Sequence, residues 1–337
     1  MSKKSSKFAL EFDMKIAFTT ELPREGFNRL VERGWELIPF SAEAAPSAST
    51  EGRSGQDADI LVSTFDYKVS GEMIAAMPKL KLIANFGAGY NNIDLEACKA
   101  RGIRVTNTPQ PVIEPTAELA FALMIDIARR VSEFDRTVRA GQAVFGVMRN
   151  LSHSLYGKTL GILGMGRIGQ ALARRAAASG MRILYHNRHK INDDALKALN
   201  GGNDEMVRYV DFQTLLQDSD YLSLNLPYTP EVHHIIGKPE LGMMKRSAYL
   251  INTARGAHVD EAALVEALKS GIIAGAALDV YEFEPKISSE LLTLPNVVLS
   301  PHTGTGTWEG RIAMCENVTD NILAFVENRP KDMNIVN

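Results

Sequence analysis

Residues 159–169, TLGILGMGRIG, constrain this chain more than any other stretch. An apolar strand pattern breaks into Gly164, Gly166 and Gly169, after which Ile168, Leu172 and Ala176 recur at helical spacing. The segment therefore reads as a strand turning sharply into a helix. Chemistry accounts for the glycine spacing: the first permits the tight turn, the second lets a pyrophosphate approach the backbone, and the third lets helix and strand pack closely. Phosphates would then rest on the positive helix N-terminus. A turn of this kind can also be purely structural, so its weight depends on its surroundings.

At 337 residues the chain has room for two domains with full cores. Its 45% hydrophobic and 23% charged residues are those of an ordinary globular protein. A net charge of −3 argues against a protein built to coat nucleic acid or an anionic membrane, so small anionic substrates would be drawn by local charge. Cys98 and Cys315 are too few for a disulfide framework; they fit a reducing compartment and read as small core or helix residues. Residues 1–13 are basic and polar without a signal-peptide apolar core, and read as a leader or expression remnant outside the fold. The most apolar helical stretch, 116–128, carries Glu118 and Asp126 and is too short to span a bilayer. A cytoplasmic protein is expected, with no nucleic-acid or membrane partner.

From Met14 strands near 15–20, 35–40, 59–63, 80–86 and 103–107 alternate with short helices, and 41–54 reads as a variable surface loop. This alternation predicts a parallel sheet with helices on both faces. Residues 116–141 read as one long helix with Leu119, Leu123, Ile127 and Val131 on its apolar face, suited to bridging domains or to a subunit contact. Residues 142–157 are less regular. A second β/α series starts at the glycine turn, with strands near 182–187, 207–210, 221–226, 248–252, 274–279 and 296–300, and 307–328 is helical. The fingerprint thus lies mid-chain. The expected organisation is α/β, with a nucleotide domain (113–300) inserted into a discontinuous substrate domain (14–112 plus 301–337).

A dinucleotide site needs a group about 20 residues past the glycines to meet the adenosine ribose. Here that strand ends in Asn187, Arg188, His189 and Lys190. An aspartate would repel a 2′-phosphate, whereas neutral Asn187 beside the planar charge of Arg188 would accept one, favouring NADP over NAD. The alternatives are a solvated basic turn, and NAD held through its pyrophosphate. Three other strand ends carry reactive groups: NTARGAHVDE with Arg255, ALDVYEFEP with Glu284, and SPHTGTGT with His302. Singly, each admits a bland reading as a surface pair, a loop carboxylate or a helix cap. Together they supply one cation, one carboxylate and one imidazole. His233, His234, His258 and the methionines show no metal-ligand grouping in sequence and read as structural, so no metal is expected.

The ordered series FGAGYNNIDLEA, RGIRVTNTP, TAELAFALM, GKTLGILGMGRIG, NTARG, ALDVYEFEP and PHTG resembles the D-isomer-specific 2-hydroxyacid dehydrogenases over residues 14–328. The resemblance implies two Rossmann-like doubly wound parallel-sheet domains and a homodimer. It matches Arg255 to the substrate-binding arginine, Glu284 to the acid partner, and His302 to the proton donor or acceptor. It makes Ala88 and Gly89 part of the substrate-carboxylate loop, where the glycines also serve as turn formers. Around the cofactor it places Ala88, Arg167, Ile168, Leu226, Thr253, Ala254, Asp279, His302 and Gly304, beside the three fingerprint glycines and the Asn187–Arg188 pair. The implied activity is reversible NAD(P)H-dependent reduction of a small 2-oxo acid such as glyoxylate or hydroxypyruvate. D-lactate or branched D-2-hydroxyacid dehydrogenation is the enzymatic alternative, and a dinucleotide-sensing corepressor-like protein the non-enzymatic one. The tryptophans that many relatives carry after the long helix are missing from 142–155, and Trp308 is left either to line a pocket or to pack a helix.

Overall fold

A computed structural model describes residues 14–40, 55–200 and 206–337. Residues 1–13, read from sequence as a leader, and 41–54, read as a surface loop, lie outside the described residues. The chain divides into two compact units: the described residues up to Val112 together with Thr305–Asn337, and Ile113–Gly304.

In the first unit, strands β1 (Lys15–Phe18), β2 (Glu36–Pro39), β3 (Ile60–Thr64), β4 (Leu82–Phe86) and β5 (Arg104–Thr106) form a parallel sheet in the order β2-β1-β3-β4-β5. Every residue of β3 and β4 is buried, which is why ILVST and LIANF read as near-continuous apolar runs instead of alternating ones. Helices α1 (Asn28–Val31), α2 (Gly71–Ala75) and α3 (Leu95–Ala100) connect the strands. Ser70 and Asp94 cap α2 and α3 by accepting the amides of Met73 and Ala97. The C-terminal helix Trp308–Val326 returns to this unit. There Thr319 donates its hydroxyl to the Gly26 carbonyl at 2.7 Å. Cys98 and Cys315 are buried helix residues.

The second unit begins with α4 (Ile113–Arg129) and α5 (Val131–Arg139), which replace the single long helix expected over 116–141. The chain breaks at Arg130, whose φ of 57° is left-handed. A capping interaction competes with helix continuation: Asp126 accepts the Ser132 amide at 2.7 Å and also its hydroxyl. The Arg130 guanidinium meanwhile pairs with Glu133 and lies 4.7 Å from the Phe134 ring. Val131 consequently falls off the apolar face and is exposed, while Leu123, Met124 and Ile127 remain buried.

Next come β6 (Thr159–Leu163), α6 (Arg167–Ala178), β7 (Arg182–His186), α7 (Asp193–Asn200), β8 (Val207–Tyr209), α8 (Phe212–Asp218), β9 (Tyr221–Leu224), α9 (Lys238–Met243), β10 (Tyr249–Asn252), α10 (Glu261–Lys269), β11 (Gly275–Leu278) and β12 (Val297–Leu299). These strands form a parallel sheet in the order β12-β11-β10-β9-β6-β7-β8. The architecture is therefore α/β with two Rossmann-like parallel sheets. In the larger sheet the order reverses between β6 and β9, and in such sheets the crevice for a ligand opens outside the carboxyl ends at that point. Gly164 occupies the crevice edge with φ +99°, where a Cβ would come within 2.7 Å of the backbone between Asn225 and Leu226. No helix of the described residues is long and apolar enough to cross a membrane.

The turns after β10 and β11 pack backbone against backbone. A Cβ on Gly256 would sit 1.9 Å from the Tyr281 carbonyl carbon, and no side chain can rotate away to admit it. Gly256→Ala should therefore destabilise the fold by about 3 kcal/mol and lower the melting temperature by several degrees. A melting temperature equal to that of the wild type would show that these two turns do not pack as described.

Candidate active site

The reactive side chains of the second unit stand on turns at strand carboxyl ends, and each turn is held from inside the sheet. β10 ends in buried Asn252, whose side-chain oxygen accepts the Ala254 amide at 3.0 Å while its nitrogen donates to the Arg255 carbonyl at 2.9 Å. This folds 252–255 on itself and fixes the Arg255 backbone. The half-buried guanidinium donates to the Ala254 carbonyl at 2.6 Å. Burial lowers its pKa and Glu284 opposes that shift, but an arginine stays charged.

β11 runs into Asp279, which grips the turn that carries His302. Its backbone carbonyl accepts the His302 amide at 2.8 Å. Its carboxylate accepts the amides of Thr303 and Gly304, both at 2.8 Å. His302 is held with φ at 55°, in the left-handed region that side chains rarely adopt. In this geometry His302 Nδ1 meets Glu284 Oε2 at 2.8 Å, and Glu284 Oε1 accepts the Tyr281 amide at 2.9 Å. Burial alone would raise the Glu284 carboxyl. The His302 hydrogen bond and charge, the Tyr281 amide and Arg255 together outweigh it and hold the carboxyl below its usual range. Glu284 is thus a carboxylate bound to one edge of the imidazole, with Nε2 on the other edge. Such a pair can pass a proton through Nε2 while the carboxylate stabilises the charged ring.

The glycine turn fits a dinucleotide. Gly164 and Gly169 are required by packing: a Cβ on Gly169 would come 2.4 Å from the Gly164 carbonyl oxygen. Gly166 differs, since nothing lies within 4 Å of its added Cβ, leaving the open backbone approach that a pyrophosphate needs. Arg167 and Ile168 open α6, and its first turn holds no acidic residue. Thr253 is buried, and its hydroxyl has no hydrogen-bond partner among the described residues, an orphan of the kind a ligand satisfies.

Asn187 acts as a strut: its side-chain oxygen accepts the Met165 amide at 2.6 Å, and its NH₂, which makes no hydrogen bond among the described residues, stays available to a ribose. Arg188 is exposed. Lys190 lies 5.1 Å from the Tyr209 ring.

In the first unit the loop after β4 is held by two asparagines that sequence reading overlooked. Buried Asn85 donates to the carbonyls of Gly87 at 3.1 Å and Gly89 at 2.8 Å, and Asn107 donates to that of Ala88 at 2.8 Å. In a trans peptide the N–H points opposite to the C=O. The amides of Ala88, Gly89 and Tyr90 therefore face away from these asparagines, and among the described residues they make no hydrogen bond. Successive unpaired amides of this kind are what an anion nest is built from. The sequence signal was an asparagine at a strand end beside a glycine turn. Trp308, at the start of the C-terminal helix, is 77% exposed and buries little surface in helix packing.

One expectation needs correction. His233 and His234 do join a ligand-type grouping, with Glu282, their donor atoms lying within 4.8 Å of one another. Their remoteness in sequence hid it, for Glu282 lies beyond β11. His234 Nε2 already meets Glu282 at 2.6 Å, and the other Glu282 oxygen accepts the Glu261 amide at the start of α10. His258 is fully buried, and among the described residues neither ring nitrogen meets a partner in full hydrogen-bond geometry, although the Pro227 carbonyl lies near enough to act on the ring.

Comparison with known proteins places this geometry in a familiar setting. The family model described as D-isomer specific 2-hydroxyacid dehydrogenase, NAD binding domain, matches residues 121–304. The glyoxylate reductase of Thermococcus litoralis is 44% identical over 318 residues, spanning 93% of this chain and 94% of that protein. Among solved structures, the NADPH-dependent glyoxylate/hydroxypyruvate reductase of Sinorhizobium meliloti, in complex with NADP and malonate, is similar with TM-score 0.79 and 33% identity over 93% of each chain. The D-lactate dehydrogenase of Aquifex aeolicus, complexed with NAD and lactic acid, gives TM-score 0.81 at 28% identity, covering 96% of this chain and 98% of that one.

His258 also makes stability depend on pH. Burial above all, with Arg255 adding and the Pro227 carbonyl opposing, lowers its pKa from 6.5 to about 4. Between those values the unfolded chain binds a proton that the folded chain refuses, so stability is lost as pH falls from 6.5 towards 4. The full loss amounts to about 3 kcal/mol. His258→Leu should flatten the fall in melting temperature between pH 7 and pH 5. An unchanged slope would show that His258 is not the group responsible.

Proposed function

The chain belongs to the D-isomer-specific 2-hydroxyacid dehydrogenases, and from that premise we propose that it reduces a small 2-oxo acid of the glyoxylate or hydroxypyruvate type to the D-2-hydroxy acid, reversibly and with NADPH preferred over NADH. The 2.8 Å contact between Glu284 and His302, in the same unit as Arg255, carries the reading. Bound NADPH supplies the hydride. Arg255 holds the substrate carboxylate with its planar fork and polarises the adjacent carbonyl. His302 delivers a proton from Nε2 to the carbonyl oxygen, or removes it from the hydroxyl in the oxidative direction. Glu284 stabilises the charged imidazole and fixes its orientation.

The dinucleotide-binding domain read from sequence as 113–300 lies within the unit Ile113–Gly304, which also takes in 301–304, and the substrate-binding domain read as 14–112 plus 301–337 corresponds to the unit formed by residues up to Val112 with Thr305–Asn337. Gly164, Gly166, Arg167, Ile168 and Gly169 would take the pyrophosphate. Thr253, with its orphaned hydroxyl, is grouped with Leu226, Ala254, Asp279, His302 and Gly304 around the rest of the cofactor, and Ala88 and Gly89 would offer amides to the substrate. Exposed Arg188, with no carboxylate at position 187, supports NADP, as does the NADP complex of the Sinorhizobium relative. Phe145, Val147, Met148 and Leu151 are highly exposed, an apolar surface of the sort that associating proteins cover, and a homodimer is inferred. Two reduced cysteines suit the cytoplasm.

The test is a steady-state panel of glyoxylate, hydroxypyruvate and D-lactate's 2-oxo acid, pyruvate, with each cofactor. Oxidation of NADPH by the first two is expected, with His302→Ala lowering kcat on the order of 10²- to 10⁴-fold. Arg188→Asp should move the preference towards NADH. No turnover with either cofactor would overturn the enzymatic reading, and an unmoved preference would overturn the role of Arg188.

A further inference from the structure

The C-terminal helix carries a cation that the mechanism above leaves unused. Arg311 is half-buried, and its guanidinium lies 5.6 Å from the centre of the Phe86 ring, the last residue of β4. Among the described residues its side chain makes no ion pair and no hydrogen bond. Burial lowers its pKa, and the attraction of Cys315 and Asp66 opposes this without bringing either into contact. Asp66 lies just past β3 and Phe86 ends β4, so the guanidinium stands at the carboxyl edge of the five-stranded sheet, where parallel sheets bind ligands.

The Phe86 ring offers the guanidinium no oxygen acceptor. Its N–H donors lie in the plane of the group and point outward, and a half-buried charge without a partner is costly to keep. The residue after Phe86 begins the loop whose outward amides at Ala88 and Gly89 form the anion nest. One nest suffices for one carboxylate. A guanidinium on the Phe86 ring, two residues before that loop's first outward amide, is surplus for glyoxylate, which has no carbon beyond its carbonyl, and an acid that carries oxygen further along would satisfy it.

We propose that Arg311 is a specificity-determining residue that binds an oxygen-bearing group at C3 of the substrate, a hydroxyl or a second carboxylate, while the amides of Ala88 and Gly89 take the first carboxylate. This deepens the reductase reading and rests on it. The preferred substrate is then a 2-oxo acid of three or more carbons with oxygen at C3, such as hydroxypyruvate. Arginine suits the task because its planar fork stacks on the aromatic ring and still presents its donors at the edge.

The experiment compares kcat/KM for hydroxypyruvate, pyruvate and glyoxylate in the wild type and in Arg311→Met, with melting temperatures recorded for both. Pyruvate has the carbon skeleton of hydroxypyruvate without the C3 oxygen. The variant should lose on the order of 10- to 100-fold for hydroxypyruvate and change less than about threefold for the other two acids. Equal losses for all three would overturn the proposal, because Arg311 would then serve the shared carboxylate or the fold. No loss for hydroxypyruvate would overturn it as well. Should the wild type turn over none of the acids, the reductase reading fails, and calorimetric binding of hydroxypyruvate still decides the subsite. Weaker binding by Arg311→Met upholds it, and equal binding overturns it.

Discussion

The turn that carries His302 depends on one buried carboxylate, that of Asp279. Asp279 accepts two amides with its side chain and a third with its backbone, and so holds residues 302–304 in a conformation that His302 would otherwise avoid. A left-handed side-chain residue costs about 1–2 kcal/mol. Each hydrogen bond to a charged acceptor returns about 1.5–3 kcal/mol, so the grip outweighs the strain. With the backbone so fixed, the imidazole meets Glu284 through Nδ1, which leaves Nε2 on the opposite edge of the ring.

The same device recurs wherever a strand opens into a functional turn. Asn85 ties back the carbonyls of 87 and 89, Asn252 folds the turn that carries Arg255, and Asn187 holds the Met165 amide of the glycine turn. Each is an amide side chain at or just past the end of a strand, and each constrains peptide groups within its own unit. Rigid sheets thus present pre-arranged amides and charges, the condition under which hydrogen bonds favour a transition state without reorganisation.

Much of this was legible in the sequence, for physical reasons. Buried parallel strands must be apolar runs, and the glycines at 164 and 169 are demanded by the 2.7 and 2.4 Å contacts that a Cβ would make there, so the parallel strands and the fingerprint showed in residue type alone. What escaped depended on side chains reaching across the chain. The break at Arg130 turns on Asp126 capturing Ser132, a contact that apolar periodicity cannot see. The meeting of His234 with Glu282 spans two connecting loops. The struts Asn85 and Asn107 look like ordinary turn residues until the carbonyls they hold are known. Arg311 lay hidden in a helix whose periodicity speaks only of packing.

Glu284 holds the Nδ1 edge of His302 and so sets the state of Nε2. Oxidation of D-glycerate, in which Nε2 must accept the hydroxyl proton, tests it most directly in Glu284→Gln, whose amide can donate to Nδ1 and leave the hydrogen on Nε2. The expected result is a fall in kcat on the order of 10²-fold or more, with cofactor affinity unchanged. A Glu284→Gln enzyme that oxidises D-glycerate at the wild-type kcat would contradict it.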